Sequence, residues 1–531
     1  MPLHTEALKA VRYAAALSRT WRAGSPAVDP VAHVRAAAER REAAFLAMMH
    51  RSIYGHPASP YLALLRAAGI EEGDVAALVD REGIEATLTR LCEAGVYLTL
   101  DEFKGHTPLR RGSVALETTA HSFDNPQSGG HVPGQSGGTR SAGGRGGLTR
   151  FSLDLDDLRD ELPSRALHLR AHGLEGWPYA IWLPAPPALG GLRVLIQNEG
   201  LGLSLAGWFS QTRPLRGAGG SAPLTAITLG EAALLGHGAH WPVHVPMDRA
   251  DRVARWLAER TAGGRRIQLY TTVNAAVRIA HAAEGLGLDI SGHAMRTSSE
   301  PLTAVKAAVL ARQGLRVCSV YGLLEAGMLG FSCGNPEHVD EMHVLSHRYA
   351  LIQRERRYPG LDAPIGELLI TVYSPANAKI LLNVETGDYA TLCERTCGCP
   401  LEAAGLTRRL HTIRSYEKLT SAGVTFMGSS LLEVLEEVLP ARFGGSAASY
   451  QFVEREVGGE TVVSLVIDPE VGPLDETAVV EYTLEELARR TRAGGAQASL
   501  WRDGRLLRVE RAQPYTTSAA KIQALHVQHG S

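Results

Sequence analysis

The stretch Val320-Tyr321-Gly322-Leu323-Leu324-Glu325-Ala326-Gly327 follows a short apolar strand predicted over Arg316–Tyr321. Turns at the carboxyl edge of a sheet commonly carry binding residues, which makes Tyr321 and Glu325 candidates for a ligand site. A carboxylate such as that of Glu325 suits Mg²⁺, which prefers one carboxylate together with phosphate oxygens. The alternative is a tyrosine corner with a solvated glutamate, and the stretch alone leaves both interpretations open.

Strand-like and helix-like apolar segments alternate around this stretch. Strands are predicted over Tyr179–Leu183, Leu192–Ile196, Val243–Val245, Ile267–Thr272 and Ile365–Tyr373, and helices over Arg249–Thr261 and Ala275–Gly285. Residues 6–50 have apolar residues at helical spacing and predict N-terminal helices. The alternation predicts an α/β layer structure with a partly parallel sheet.

The pattern changes after Gly423. Tyr450–Val457 and Thr461–Ile467 predict two strands joined at Gly458-Gly459, and Glu476–Arg492 predicts a helix. A compact α+β unit of about 110 residues is the size of an ordinary domain. The predicted fold class is therefore α/β, with a large N-terminal multi-layer α/β domain over residues 1–413 and a small α+β C-terminal domain over residues 414–531.

The bulk composition restricts the class of protein. The chain has 531 residues, enough for two domains. The formal net charge of −2 does not favour nucleic acid as a partner, and no apolar run reaches the roughly 18 residues of a membrane span. No secretory signal precedes the first helix, and six cysteines in a chain of this length are not a disulfide framework. We therefore expect a cytoplasmic protein without nucleic-acid or membrane partners.

The segment Gly129–Gly147 contains nine glycines among nineteen residues. Backbone N–H groups in tight glycine turns form concave anion sites, so Ser136, Gly137, Gly138 and Thr139 are candidates for contact with phosphate. The segment has no lysine and is therefore not a Walker loop. A flexible linker is the alternative.

Four residues form a candidate metal site. Cys333 and His343 lie upstream of the pair Cys397-Gly-Cys399. Three thiolates and one imidazole suit a closed, tetrahedral, structural Zn²⁺ site. His338 is the rival ligand, Cys393 is a spare thiol, and free buried cysteines are the alternative to a metal.

Five motifs in order along the chain resemble those of the adenylate-forming superfamily. They are the phosphate loop at Ser136–Thr139, the turn Thr297-Ser298-Ser299-Glu300-Pro301-Leu302, the Tyr-Gly-x-Thr-Glu motif at Tyr321, Gly322 and Glu325, the Thr-Gly-Asp motif ending at Asp388, and the hinge segment beginning at Arg414. The spacing of nine residues from Arg414 to Gly423 is that of the family. A sixth match is the C-terminal segment Pro514–Ile522, which contains Lys521.

The N-terminal helices and the Cys/His pattern resemble the phenylacetate–coenzyme A ligase-like branch of that superfamily. The resemblance implies activation of a carboxylic acid by ATP to an acyl-adenylate, followed by transfer to a thiol of coenzyme A or of a carrier protein. The implied enzyme is an AMP-forming acid–thiol ligase with a mobile C-terminal domain. The implied cofactors are ATP, Mg²⁺ and a structural Zn²⁺, and coenzyme A is a candidate acceptor.

The resemblance also implies roles for particular residues. Ser299, Glu300, Tyr321 and Gly322 would contact the adenine, Asp388 the ribose hydroxyls, and Ser136–Thr139 the phosphates. Glu325 would hold Mg²⁺. The implied catalytic residues are Glu325, Arg414, which contacts ribose or phosphate, and Lys521, which neutralises charge between the carboxylate and the α-phosphate.

Several positions depart from the family pattern: Leu324, Ser298, Ser299, Tyr416 and Ala520. These departures leave two alternatives open, a non-catalytic member that binds a nucleotide or acyl ligand and an acyl-protein synthetase-like transferase. The sequence does not decide the acid, the acyl acceptor or whether the chain forms a homodimer.

The tail motif generates a test of the implied two-step reaction. Lys521→Ala should abolish formation of the acyl-adenylate and spare thioester formation from a supplied acyl-adenylate, because the lysine is needed only for the first step. The two half-reactions can be assayed separately on purified protein. Equal loss of both would contradict this role and indicate a folding defect.

Overall fold

The structure is a computed structural model. It describes residues 3–23, 29–128, 132–135, 150–184, 189–212, 221–236, 240–323, 325–356, 365–415, 418–421, 424–427, 434–446, 449–490, 494–515 and 525–528. Several predicted features therefore lie outside the described residues: Ser136–Thr139, Leu324, Tyr416, Gly423, Ala520 and Lys521.

The helices begin in an N-terminal group and then alternate with strands. Their bounds are α1 Leu3–Ala23, α2 Pro30–Glu39, α3 Arg41–Met48, α4 Pro60–Ala67, α5 Glu72–Glu93, α6 Leu100–Lys104, α7 Leu155–Asp160, α8 Leu162–Ala171, α9 Gly190–Gly200, α10 Ser221–Leu234, α11 Ala250–Ala262, α12 Val273–Leu286, α13 Ala304–Arg312, α14 Pro400–Ala403, α15 Leu439–Phe443, α16 Glu476–Arg490 and α17 Gly494–Asp503. In the part of the chain that the structure describes, no helix is long and apolar enough to cross a membrane.

The strands form one large sheet and several small ones. Their bounds are β1 Leu109–Arg111, β2 Val114–Leu116, β3 Val132–Gln135, β4 Arg150–Leu153, β5 Tyr179–Leu183, β6 Leu205–Ser210, β7 Val243–His244, β8 Gln268–Thr272, β9 Ala294–Ser298, β10 Arg316–Leu323, β11 Gly327–Ser332, β12 Met342–Val344, β13 Tyr349–Arg356, β14 Ile365–Val372, β15 Val384–Glu394, β16 Arg408–Ser415, β17 Lys418–Ser421, β18 Val424–Met427, β19 Tyr450–Val457, β20 Glu460–Ile467, β21 Leu507–Arg511 and β22 Leu525–Gln528.

A mixed sheet of twelve strands organises the large part of the fold, in the order β13-β14-β15-β16-β12-β11-β10-β9-β8-β5-β6-β7. The strands from β7 to β10 pair in parallel, and those from β10 to β13 along the sheet pair antiparallel. Strands β5 and β8 are buried along their whole length, as expected of parallel strands covered by helices on both faces. The predicted α/β class with a partly parallel sheet is confirmed.

The predicted elements of this region are present with one exception. Leu192–Ile196 was predicted as a strand, and this is wrong, because these residues lie inside α9. Every residue from Gly191 to Gly200 is buried, so the helix has no solvent-exposed face. A short apolar run of this kind cannot be distinguished from a buried strand by periodicity.

The predicted C-terminal unit contains a four-stranded sheet in the order β21-β20-β19-β22. Strands β19 and β20 form the expected hairpin, with Val457 opposite Glu460 across Gly458-Gly459. Buried apolar residues of this sheet and of helices α11 and α12 belong to one continuous core cluster. Movement of the C-terminal unit, which remains a prediction, would have to expose part of that apolar surface to water.

The tip of the β19–β20 hairpin docks on helices α12 and α13. The His281 imidazole lies 2.8 Å from the carbonyl oxygen of Gly458, and Arg278 forms an ion pair with Glu460 at 3.2 Å. A Cβ atom on Gly459 would lie 2.8 Å from Cγ2 of Val309. Glycine at this position therefore permits the close approach of the hairpin to the helix.

This contact generates a paired test on adjacent glycines. Both have positive φ, +59° at Gly458 and +83° at Gly459, but a Cβ on Gly458 meets nothing within 4 Å. Gly459→Ala should therefore lower the free energy of unfolding by about 1–3 kcal/mol more than Gly458→Ala does. Urea unfolding of the two variants measures the difference, and equal losses would contradict docking of the hairpin at Val309.

Candidate functional site

Tyr321 and Asp388, which the sequence places 67 residues apart, meet in the structure. The Tyr321 hydroxyl donates a hydrogen bond of 2.9 Å to Oδ2 of Asp388. Burial, reinforced by the Asp388 carboxylate, raises the pKa of Tyr321 well above its usual value, so the phenol keeps its proton. Two residues that were predicted to contact one nucleotide are therefore in direct contact with each other.

Ser415 completes this cluster, because the pairing of β15 with β16 places it opposite Asp388. Its hydroxyl donates a hydrogen bond to Oδ1 of Asp388. Both carboxylate oxygens of Asp388 therefore accept a hydrogen bond from a hydroxyl group of the protein. Asp388 is only 6% exposed, which holds its carboxylate in one orientation.

Glycine is required at Gly322, in the hairpin between β10 and β11. The register of that hairpin shifts between Tyr321 and Gly322. A Cβ atom on Gly322 would lie 2.6 Å from the carbonyl oxygen of Gly327, a distance that side chains do not tolerate. Glycine is needed at this position because two backbones approach each other closely, and contact of Gly322 with a nucleotide stays a prediction.

Glu325 lies in the turn of the same hairpin with a carboxylate that is only 13% exposed. Its Oε1 atom is buried, is 3.9 Å from Nζ of Lys104, and has no hydrogen-bond partner in the described part of the chain. Asn377 donates a hydrogen bond to the backbone carbonyl of Glu325 and fixes the turn. A buried carboxylate oxygen without a hydrogen bond is uncommon and is compatible with a place for a cation.

Ser299 and Glu300 follow β9, at the edge where β9 and β10 both end. Ser299 has a φ of 71°, an uncommon conformation for a residue other than glycine. Oε2 of Glu300 accepts a hydrogen bond of 2.6 Å from the backbone N–H of Asn274. The helix that follows begins at Ala304 with Thr303 as its N-cap, so Glu300 lies before the helix and not in its first turn.

Arg414 is held by an aspartate that sequence analysis did not identify. Its Nη1 atom lies 3.2 Å from Oδ2 of Asp340, and the Asp340 carboxylate also accepts hydrogen bonds from the backbone N–H groups of Thr412 and Ile413. Asp340 lies between Cys333 and His343 in the chain. The candidate nucleotide residue Arg414 is therefore oriented by the loop that carries two candidate metal ligands.

The four predicted metal ligands form one cluster. The ligand atoms of Cys333, His343, Cys397 and Cys399 all lie within 4.8 Å of one another. Nε2 of His343 is 3.2 Å from Sγ of Cys399 and 3.7 Å from Sγ of Cys397. The rival ligand His338 is not part of the cluster and stacks on His411.

Neighbouring groups orient the candidate ligands in a way that suits a metal ion. Nδ1 of His343 is 2.6 Å from the carbonyl oxygen of Leu406, so the proton sits on Nδ1 and Nε2 is left to face the thiols. The hydrogen bond from the Cys333 thiol, followed by contact with His343, lowers the pKa of Cys399. The same hydrogen bond raises the pKa of Cys333. Three sulfurs and one nitrogen are the donor set of a closed tetrahedral zinc site.

Other contacts of the site were missed at the level of sequence. Lys104, Asn274, Asp340 and Ser415 each bind a predicted site residue. Ser415 lies next to Arg414, and adjacency is the one signal that identifies it from sequence. The other three lie far from their partners in the chain: Asn274 is 26 residues before Glu300, and Lys104 is 221 residues before Glu325. Separations of this kind give no signal in the sequence.

No protein-family model matches this chain, and a search of curated proteins found no significant match. The chain is similar to solved structures of ligases. A malonyl-CoA ligase with methylmalonyl-CoA and AMP bound shares 15% identity, with 85% of this chain and 94% of that chain covered, at a TM-score of 0.39. An o-succinylbenzoate CoA synthetase from Bacillus subtilis shares 11% identity, with 84% and 79% covered, at a TM-score of 0.42.

A fatty acyl-adenylate ligase from L. pneumophila, in complex with acyl adenylate and pyrophosphate, shares 12% identity, with 70% of this chain and 65% of that chain covered, at a TM-score of 0.33. Membership of the adenylate-forming superfamily stays a prediction for this chain. The phenylacetate–coenzyme A ligase-like branch stays a prediction. At TM-scores below 0.5, the likeness carries no argument about the activity of this chain.

Proposed function

We propose that this chain activates a carboxylic acid with ATP to an acyl-adenylate and passes the acyl group to a thiol. The observation that carries the proposal is the cluster of Tyr321, Asp388 and Ser415, which lies where parallel strands β9 and β10 end. Its acidic centre presents two fixed acceptor oxygens, which suit a cis-diol such as that of ribose. The partners we propose are a small carboxylic acid and coenzyme A or a carrier protein, and the place of action is the cytoplasm.

In the proposed first step, an oxygen of the substrate carboxylate attacks the α-phosphorus of ATP. The bond from the α-phosphorus to the bridging oxygen breaks, and pyrophosphate leaves with the electron pair. Glu325 is the residue that would hold Mg²⁺, which supplies positive charge beside the phosphate oxygens. Arg414, held by Asp340, would add a fixed positive charge from β16. Lys521, which lies outside the described residues, would supply a second positive charge in this step.

The remaining predicted contacts position the nucleotide. Tyr321 and Gly322 would lie beside the adenine together with Ser299 and Glu300, and the segment Ser136–Thr139 would contact the phosphates. Fixed donors and acceptors of this kind lower the barrier because they are oriented before the reaction begins. The proposed division at residue 413 falls within β16, two residues before the strand ends.

One observation favours a second candidate function, in which the protein binds a nucleotide and catalyses no reaction of it. Lys104 lies 3.9 Å from the Glu325 carboxylate, where a positive side chain competes with Mg²⁺. The replacement of threonine by Leu324 points in the same direction. An acyl-protein synthetase-like transferase is the further alternative within enzymes, since nothing among the described residues selects the acceptor.

The deciding experiment is ATP–pyrophosphate exchange across a panel of carboxylic acids, combined with two substitutions. Asp388→Ala removes a charged acceptor worth roughly 1.5–3 kcal/mol, so it should weaken ATP and AMP alike by about 10- to 100-fold. Glu325→Gln should lower the exchange rate and leave AMP affinity nearly unchanged, because it acts through Mg²⁺. Calorimetry gives the affinities and isotope exchange gives the rate.

The matched control is Asp289→Ala. Asp289 is an exposed carboxylate that binds the backbone N–H of Ser291 and lies outside the proposed site, so both nucleotide affinities should remain those of the wild type. If the wild type binds ATP, exchanges no pyrophosphate with any acid and is unchanged by Glu325→Gln, the ligase proposal fails and the non-catalytic alternative is supported.

We also propose that Cys333, His343, Cys397 and Cys399 bind one structural Zn²⁺. Four protein ligands leave no open position for a substrate, so the metal would stabilise the fold around β12 and β16. The hydrogen bond between His343 and Leu406 supports this proposal, because a fixed tautomer is a feature of metal-binding histidines.

Elemental analysis of the purified protein should find one zinc per chain. Cys397→Ser should remove the metal and lower the melting temperature more than it lowers ATP affinity, because the ion supports the fold. Cys393→Ser is the control, since Cys393 lies outside the cluster, and it should keep both the zinc and the melting temperature. Wild-type protein without zinc would contradict the metal centre.

A further inference from the structure

Arg409 is a fully buried arginine beside the metal cluster, with an exposed fraction of 0%. It lies on β16, opposite His343 on β12 and opposite Cys393 on β15. A charge without access to water is costly unless nearby groups compensate it. Groups close to Arg409 must therefore compensate its buried positive charge.

Two carboxylates flank the Arg409 guanidinium. Nε of Arg409 lies 3.5 Å from Oε1 of Glu341, and Nη2 lies 3.8 Å from Oε2 of Glu402. Neither contact is a hydrogen bond, and none of the three guanidinium nitrogens has a hydrogen-bond partner in the described part of the chain. The Arg409 guanidinium therefore attracts both carboxylates electrostatically and forms a hydrogen bond with neither.

The first carboxylate supports the loop from Cys333 to His343. Oε2 of Glu341 accepts hydrogen bonds from the backbone N–H groups of Glu337, at 2.8 Å, and His338, at 3.5 Å. Arg395 forms a second ion pair with Glu341 at 2.7 Å. The Glu341 carboxylate therefore fixes the backbone between two of the candidate ligands.

The second carboxylate supports the turn that carries the other two ligands. Oε2 of Glu402 accepts hydrogen bonds of 2.6 Å from the backbone N–H groups of Cys397 and Gly398. Cys399, which follows Gly398, is the N-cap of α14, the short helix that contains Glu402. Arg409 therefore lies between the two carboxylates, each of which holds one of the two ligand loops.

We propose that Arg409 is a positioning residue for the metal centre. Its buried charge draws Glu341 and Glu402 toward each other and so holds the two ligand loops at the separation that a metal requires. The inference rests on the proposed zinc site and adds a determinant of its affinity that is not itself a ligand.

The net charge of a zinc-loaded centre also assigns a supporting role to Arg409. A divalent ion with three thiolates and a neutral imidazole leaves one negative charge, next to the two carboxylates. Within this described group, Arg395 and Arg409 are the cations that face Glu341, and Arg409 is the one that also reaches Glu402. Loss of the Arg409 charge would leave the loaded centre with an excess of buried negative charge.

The test measures metal affinity by competition with a chromophoric chelator, using Zn²⁺ and the full-length chain. Arg409→Leu should weaken Zn²⁺ by about 10- to 100-fold, the range found for residues that support metal ligands. Arg409→Lys should lie between this variant and the wild type, because a lysine keeps the charge but not the planar fork that faces two carboxylates. The absorption of Co²⁺-loaded protein reports whether the ligand set stays tetrahedral.

The control is Arg348→Leu, since Arg348 is also buried but pairs with Asp157, away from the metal cluster. It should lower the melting temperature and leave Zn²⁺ affinity unchanged. If Arg409→Leu does not yield folded protein, Glu402→Gln, at a partly exposed position, should weaken Zn²⁺ in the same direction.

If Arg409→Leu binds Zn²⁺ as tightly as the wild type, the role of Arg409 is overturned and the metal centre stands. The same conclusion follows from wild-type Zn²⁺ affinity in Glu402→Gln, when that is the variant measured. An equal loss of Zn²⁺ affinity in Arg348→Leu would overturn it as well, since the effect would then be one of general stability. Wild-type protein that binds no Zn²⁺ would overturn the metal centre and this inference together.

Discussion

The antiparallel pairing of β15 with β16 is the constraint on which both candidate sites depend. The pairing places Asp388 opposite Ser415 at one end and Cys393 opposite Arg409 near the other, with an irregularity between Tyr389 and Thr391 that shifts the register by one residue. Because side chains alternate along a strand, a slip of one residue would reverse the face of every one of them. The backbone hydrogen bonds between β15 and β16 therefore determine whether the side chains of the acidic cluster and those around the metal cluster come together.

Strand β16 connects the two sites along one backbone. It carries Arg409 at the metal cluster and Arg414 and Ser415 at the acidic cluster. Asp340 strengthens the connection, because it belongs to the loop with Cys333 and His343 and binds Arg414. A metal that fixes this loop would therefore also fix the orientation of a proposed catalytic residue, although it takes no part in the reaction.

The hairpin of the C-terminal sheet imposes a different kind of constraint. Its tip packs on α12 and α13 through Gly459, and Glu456 accepts hydrogen bonds from Thr303 at the start of α13. Asn274 links the hairpin to the turn after β9, because its side chain binds the N–H of Thr461 and its backbone N–H binds Glu300. The position of the small sheet is thereby coupled to the turn that is proposed to lie beside the adenine.

The sequence by itself determined the α/β class, most strand positions and the identity of the chemical groups. Tyr321, Glu325 and Asp388 were identified because their local motifs resemble those of the adenylate-forming superfamily, and the Cys/His set because its donor atoms suit zinc. Local pattern failed at Leu192–Ile196, where the helix is buried on all sides. The contacts Tyr321–Asp388, Arg414–Asp340 and Arg409 with its two carboxylates were decided only by tertiary structure, because strand pairing brings together residues that no local spacing relates.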